Sequence, residues 1–274
     1  MSSTGSGYDY SCGTFSPDGR IFQVEYAQKA VENSSTAIGI KCSDGIVIAV
    51  GKSQASRMLV EGSNRTIFGV DAHAGIAVTG YAADGRQIVS RAREEAQSYR
   101  DTYGHRVIPS ILANRLSLYM HYFTIYGSLR PFGATAILSA YDEDTKTPEL
   151  YMLDPSGTSY RYHGCSAGKG ANAAKTELEK ILNRAGNDGI TCRQAVMELG
   201  KILHLIRDTS KEKPLELEMG WLCAETGFKH AHVPKDLVLA SDAAGKVALE
   251  GGATLAYTQQ TGSAATEEKT MEVE

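Results

Sequence analysis

Two short apolar runs, Ala37–Ile40 and Gly45–Val50, flank Ser43-Asp44-Gly45 early in the chain. Runs rich in Ile and Val, bounded by turn residues, predict strands, and the short gap predicts a hairpin. The design repeats at Thr66–Val70 and Ala74–Gly80 around Asp71-Ala72-His73. Within Ile46–Val50 the apolar run is continuous, which predicts a strand covered on both faces.

The period then changes. In Asp84–Tyr103, the residues Ile88, Ala92, Ala96, Tyr99 and Tyr103 recur at steps of four and three, with Arg91, Arg93, Glu94 and Arg100 on the other face. That is an amphipathic helix. Ile111–Tyr126 repeats it with Leu112, Leu116, Tyr119, Phe123 and Tyr126, behind Pro109 at a helix start. Strands return at Gly133–Tyr141, Glu149–Leu153 and Thr158–His163, the last two separated by the turn Asp154-Pro155-Ser156-Gly157. Gly164–Gly170 reads as a glycine-rich turn into a helix over Ala171–Asn183. Thr191 and Gln194 form a capping box ahead of Ala195, Leu199, Ile202 and Ile206. A last strand near Glu218–Ala224 holds Trp221. Runs of strands alternating with runs of helices predict an α+β chain, with layered sheets and helices outside them.

Composition narrows the class. The five cysteines lie far apart in sequence, which excludes a CxxC motif, argues against a disulfide framework and suits a reducing compartment. Met1–Gly7 lacks a basic patch and a following apolar run, so no secretory signal is expected there, and the longest apolar stretches are too short to cross a bilayer. Segment 241–274 carries six acids and two lysines, which accounts for the net charge of −4 and leaves 1–240 neutral. A neutral body gives no electrostatic case for nucleic acid. The segment is rich in Ala, Gly, Thr and Glu, and the expectation is a mostly flexible tail that follows a short helix from Lys235.

Candidate chemistry is sparse. Gly164–Gly170 is not a phosphate loop, because the positions that need Gly and Ser/Thr hold His163 and Gly170. His230 and His232 form a close pair read as an exposed loop, with no further ligands to suggest a metal. No cofactor or metal is expected. Ser34-Ser35-Thr36 places hydroxyls at a strand start, which is structurally ordinary by itself.

The stretch Thr14–Ile40, with Gly7-Tyr8-Asp9 ahead of it, closely resembles the signature of proteasome alpha subunits. Gly80–Arg86, Arg130-Pro131-Phe132-Gly133 and Leu150–Gly157 match further strings of that family, and the resemblance spans about residues 5–240. It implies a four-layer αββα sandwich of N-terminal nucleophile hydrolase type. The expected division is 1–33 for an N-terminal gate segment and first helix, near Arg20–Glu32, then 34–240 for the sandwich and 241–274 for the tail. It also implies a place in an outer alpha ring beside other alpha subunits, stacked on beta subunits that hold active threonines. Regulatory activators such as the 19S cap would dock there, in cytoplasm and nucleus, with no nucleic acid or membrane partner.

The same resemblance bears on catalysis. Catalytic relatives use a threonine exposed at a new N-terminus, whose own amine helps move the proton. Ser35 falls at that position here, no Gly-Thr processing pair precedes it, and the assisting aspartate and lysine positions fall at Gly51 and near Arg65/Thr66. Catalytic residues are expected to be absent. The alternative is an active hydrolase using Ser35 or Thr36 after processing. The resemblance further assigns Tyr8, Asp9, Pro17 and Tyr26 to a cluster that holds the gate. It places an activator-tail pocket at Ser34, Thr66, Gly80 and Tyr81. Only Gly80 keeps the usual residue, and Arg65 is adjacent to Thr66 in sequence.

Overall fold

Ile46, Ile48 and Val50 point to one side of a strand, Val47 and Ala49 to the other, and every one of them is fully buried. That two-sided burial explains the continuous apolar run and sets the layers of the molecule. The computed structural model describes residues 7–250, apart from 54, 55, 57, 61, 187, 188 and 208–213.

In chain order the elements are α1 (Phe22–Glu32), β1 (Thr36–Lys41), β2 (Gly45–Ser53), β3 (Ile67–Asp71), β4 (Ala74–Gly80), α2 (Ala82–Tyr103) and α3 (Pro109–Ile125). Then come β5 (Ala134–Asp142), β6 (Thr147–Leu153), β7 (Ser159–Tyr162), β8 (Gly164–Ala167), α4 (Ala171–Ala185), α5 (Cys192–Leu205), β9 (Leu215–Cys223) and β10 (His230–His232). A final helix, α6, covers 235–250. The strands form two five-stranded antiparallel sheets, ordered β10-β9-β2-β1-β8 and β3-β4-β5-β6-β7.

The cores follow the two-residue period of the strands. Ala37, Ile46, Ile48 and Val50 meet Ile67, Ala77, Ile137 and Leu150 between the sheets. Ile38, Ile40, Val47 and Ala49 face Leu178, Ala195, Leu199 and Ile202 of α4 and α5. Ile76, Val78, Ala136 and Leu138 face Ile88, Ala92, Leu112 and Leu116 of α2 and α3. The result is the predicted α+β sandwich of four layers, αββα. Each fully buried Ile or Leu contributes roughly 1.5–3 kcal/mol from desolvation.

Local signals also hold. Thr191 and Gln194 form the reciprocal capping box, with Gln194 N–H donating to Thr191 Oγ1 and Thr191 N–H to Gln194 Oε1 at 3.1 Å. α2 starts two residues before the predicted Asp84 and ends at Gly104, a left-handed cap.

Three expectations need correction. The predicted strand Thr158–His163 ends at Tyr162, and the supposed turn Gly164–Gly170 begins with strand β8, paired with β1, so the chain changes sheets around His163. The short helix expected from Lys235 is present as α6, but it runs to 250 and so crosses the predicted boundary at 240. Ser241 is fully buried and donates from Oγ to Val196 O at 2.7 Å, and His204 Nε2 meets Asp242 Oδ1 at 2.8 Å. The rest of the expected tail, 251–274, lies outside the described residues, as do residues 1–6 of the gate segment.

The third correction concerns the histidine pair. His232 is exposed, but His230 belongs to strand β10, and its main-chain N–H donates to Ala72 O at 2.8 Å. Its ring occupies the space that a Cβ on Gly75 would need, and both ring nitrogens are buried without a partner. Burial, and then the charge of His232, push its pKa down to about 4.

The unfolded chain therefore binds this proton more readily than the folded one, and the folded state loses stability as pH falls from about 6.5 towards 4. His230→Phe removes that titration. Denaturant unfolding at pH 7 and at pH 5 should show a smaller pH-dependent loss for the variant than for the natural chain, by about 1–2 kcal/mol. An identical loss in both would mean that His230 is solvated in the folded protein.

Candidate functional site

The N-terminal segment folds onto α1 through its backbone turn first. Gly19 N–H donates to Ser16 O at 2.9 Å, and Ser16 N–H donates to Arg20 O at 2.9 Å. Ser16 Oγ also accepts from Arg20 N–H at 3.1 Å. Pro17, with its fixed φ, stands exposed in this turn. Arg20 then forks onto Glu25, with Nε donating to Oε1 at 2.7 Å and a second contact from Nη2 to Oε2, while its guanidinium lies 5.0 Å from the Phe22 ring centre. The Arg20 hydrogen bond holds the Glu25 carboxyl below its ordinary range.

Two of the four expected gate residues meet within this chain. Tyr26 donates from its hydroxyl to Asp9 Oδ2 at 3.3 Å, and Gln23 Nε2 donates to Asp9 O. Burial and then the Asp9 charge raise the Tyr26 phenol. Tyr8 is 42 % exposed and its hydroxyl finds no partner among the described residues. Arg20, Gln23 and Glu25 escaped the sequence reading. Their signal was spacing, since Gln23 and Tyr26 share one face of α1.

The residues assigned to the activator-tail pocket lie at one end of the sandwich. Ser34 Oγ donates to Val31 O at 2.6 Å and meets Thr79 Oγ1 at 2.8 Å, and Thr79 Oγ1 in turn donates to Ser35 O. These hydroxyls tie the end of α1 to β4. Gly80 has φ of 119°, and a Cβ there would overlap Gly133 O, so glycine is required. Tyr81 is 62 % exposed, with its N–H donating to Gly133 O at 2.9 Å. Its ring borders an open cleft of about 540 Å³, also lined by Tyr26, Ala27, Ala83 and Arg130. Beneath the cleft Arg130 clamps Asp84 through two bonds, at 2.6 and 2.8 Å, and Gly133 N–H adds a third at 2.8 Å. The Arg130 bond is the largest influence on Asp84 and holds its carboxyl below its ordinary range.

Thr66 is not free to receive a ligand. Its N–H and its hydroxyl both donate to Glu218 Oε2, at 2.9 and 2.8 Å, and Ile67 N–H donates to Oε1 at 3.2 Å. Lys52 Nζ reaches the same carboxylate at 2.9 Å and lies 3.3 Å from Glu216, with its side chain only 4 % exposed. Burial alone would raise the Glu218 carboxyl, but the Lys52 and Thr66 bonds overcome it and hold it low. Arg65 lies before the strand rather than in it, exposed, with Nε donating to Gly62 O at 3.2 Å. Lys52 and Glu218 were missed in the sequence reading because their pairing depends on the β2–β9 register, in which Val50 faces Glu218 and Lys52 faces Glu216.

The Thr36 hydroxyl and the Ser35 carbonyl at the start of β1 have structural partners. Thr36 Oγ1 accepts from Gly170 N–H at 3.0 Å, and Thr36 stands opposite Gly51 in the β1–β2 ladder. Ser35 is fixed through its carbonyl, as above. None of these partners is ionisable. Among the described residues, no group of three or more His, Cys, Asp or Glu side chains is arranged to hold a metal, and no helix is long and apolar enough to cross a membrane.

Comparison with known proteins gives two family matches: the proteasome subunit model over residues 31–222 and the N-terminal signature of A-type proteasome subunits over 8–30. The alpha type-3 proteasome subunit of Arabidopsis thaliana is 53 % identical over 250 residues, covering 91 % of this chain and 98 % of that protein. The probable alpha type-7 proteasome subunit of Schizosaccharomyces pombe is 45 % identical, covering 89 % and 93 %. The alpha type-3 proteasome subunit of Drosophila melanogaster is 39 % identical, covering 90 % and 96 %.

Glu218 is the hub of its network, and Glu218→Gln leaves the buried Lys52 ammonium with the Asn64 carbonyl and the more distant Glu216. We expect a loss of about 2–4 kcal/mol at pH 7, read from the denaturation midpoint. Because the folded carboxyl titrates below its unfolded value, its contribution is full above about pH 4.5 and fades as pH falls through the folded pKa. The gap between variant and natural chain should therefore narrow in acid. A gap that stays constant with pH would show that the charge is not what matters.

Proposed function

The chain belongs to the proteasome subunit family as an alpha-type, non-catalytic ring subunit, and we propose that its N-terminal cluster helps hold the axial gate of the 20S core particle. In this reading it joins other alpha subunits in a seven-membered outer ring, stacked on a beta ring that carries the active threonines. Activators such as the 19S cap dock on the outer face. The particle degrades intracellular proteins, ubiquitinated ones included, in cytoplasm and nucleus.

The observation that carries the reading is the docking of Asp9 on Tyr26 within a segment that matches the alpha signature over residues 8–30. Tyr8, exposed and without a hydrogen bond among the described residues, is suited to reach a neighbouring subunit. The outer face of α3 supports assembly as well: Leu118, Tyr122, Ile125 and Tyr126 recur at helical spacing and stand about half exposed. The rival reading, a hydrolase using Ser35 or Thr36, requires removal of α1 and the whole signature ahead of β1. It also requires an assisting aspartate and lysine beside the hydroxyl and freed amine, where Thr36 has a backbone N–H and Gly51.

The activator pocket on this subunit is proposed to be a weak one. A tail carboxylate needs a positive partner, and charge-assisted bonds are about twice as strong as neutral ones. Thr66 is already committed to an anionic Glu218, whose charge would oppose a second carboxylate nearby.

Two measurements test the reading. In particles purified from cells, this chain should elute with alpha and beta partners at the size of the whole core and retain residues 8–26 by intact mass. A chain beginning at Ser35 or Thr36, or a free monomer, would sink the proposal. Separately, Tyr8→Phe combined with Tyr26→Phe should leave assembly intact and reduce activator-stimulated peptide hydrolysis. The reduction should be partial, under about fivefold, since each bond is worth about 1 kcal/mol and the other subunits share the load. Full stimulation in the double variant would remove these residues from gating.

A further inference from the structure

A second cavity, of about 390 Å³, opens between α1, the β6–β7 turn and the β8–α4 turn. Asp154 lines it from the Asp154-Pro155-Ser156-Gly157 turn. The backbone of that turn is satisfied: Asp154 N–H donates to Thr158 O at 3.0 Å and Gly157 N–H donates to Asp154 O at 2.9 Å. The carboxylate differs, because among the described residues no donor reaches it. Burial raises its pKa, unopposed by any hydrogen bond or cation. Tyr162 and Cys165 are close enough to feel its charge, which adds to burial in raising both, Cys165 to about 12.

The lysines at the cavity do not supply the missing charge. Lys29 is paired with Glu32 at 2.8 Å, and Lys169 has an interaction of its own. A half-buried carboxylate with no protein donor is incompletely solvated, and a cation beside it would offset that cost. The cation that fits is organic. A metal ion would want several anionic ligands, and no such group of side chains occurs among the described residues. An ammonium or guanidinium on a slim aliphatic stem suits the mixed lining, where Met152, Ala167 and Ala171 offer apolar contact and Asn33 and Asn172 offer neutral hydrogen-bonding groups.

We propose that this cavity is a binding site for a protonated amine or guanidinium on an aliphatic stem, with Asp154 as its counter-ion. The stem has two sources, a free small diamine or a basic side chain of a neighbouring ring subunit. Only the second rests on the ring reading given above.

The experiment uses the full chain, free and in assembled particles. With a water-soluble carbodiimide and glycine ethyl ester, Asp154 of the free chain should be labelled, and agmatine should lower its total modification, the agmatine amide included, severalfold in a saturable way if the source is a free cation. Agmatine should also raise the melting temperature of the natural chain and not that of Asp154→Asn. In particles treated with carbodiimide alone, an amide crosslink from Asp154 to a lysine of a neighbour identifies a partner side chain. Absence of both agmatine protection and crosslink overturns the proposal, as does an Asp154 that resists labelling in the free chain. A chain that never enters particles refutes the ring reading and leaves the agmatine arm standing.

Discussion

Everything in this molecule hangs on strands that are apolar on both faces. Once Ile46, Ile48 and Val50 must be buried on one side of β2 and Val47 and Ala49 on the other, a second sheet and a helical layer are both required. Those layers leave little room for chemistry in the middle. Polar groups are driven to the ends of the sandwich, where strands stop and turns begin. The Lys52–Glu218 pair, the Ser34–Thr79 hydroxyls, the Asp84–Arg130 clamp and Asp154 all lie at such ends.

The ends differ in how fully their charges are matched. Glu218 receives two backbone N–H groups, a hydroxyl and an ammonium, so its burial is compensated four times over. A buried pair of this kind is no guarantee of net stability, because desolvation can cancel the attraction. Its effect is geometric: it fixes how the end of β9 meets the residues leading into β3. His230 has no such compensation and is neutral for that reason. Asp154 stands between these cases, too buried to be indifferent and too open to be purely structural.

Much of the sandwich was legible because its signals are local. The period of α2, the hairpin at Ser43-Asp44-Gly45 and the Thr191–Gln194 box all act within a few residues. What the sequence reading lost depends on distant partners. β8 hides behind Gly164 because its pairing is with β1, far earlier in the chain. β10 is three residues long and shows itself only beside β9. The helix expected from Lys235 is there as α6, but its run past 240 packs with small residues: Ser241 touches Val196, and Gly245 lies so close to His204 that a Cβ would overlap its ring, so no large apolar repeat announces that extension. In the candidate site, Tyr8, Asp9, Pro17 and Tyr26 were assigned by resemblance, and of these Asp9 and Tyr26 meet. The Arg20–Glu25 fork and the Lys52–Glu218 pair needed coordinates.

The start of β1 shows why one fold can carry a peptidase in some chains and none in others. An N-terminal nucleophile needs a hydroxyl, a free amine on the same residue and a path for the substrate. Here the peptide bond before Ser35 removes the amine, since α1 and its signature segment are covalently continuous with β1. The Ser35 carbonyl is held by Thr79, and the Thr36 hydroxyl is held by Gly170 N–H. Those bonds turn the would-be reactive end into an anchor for α1. The segment that blocks catalysis is thereby the one held in place to present Asp9 and Tyr26 at the surface. Losing the nucleophile and positioning the N-terminal cluster are therefore one structural event, seen from the two sides of the peptide bond between Ser34 and Ser35.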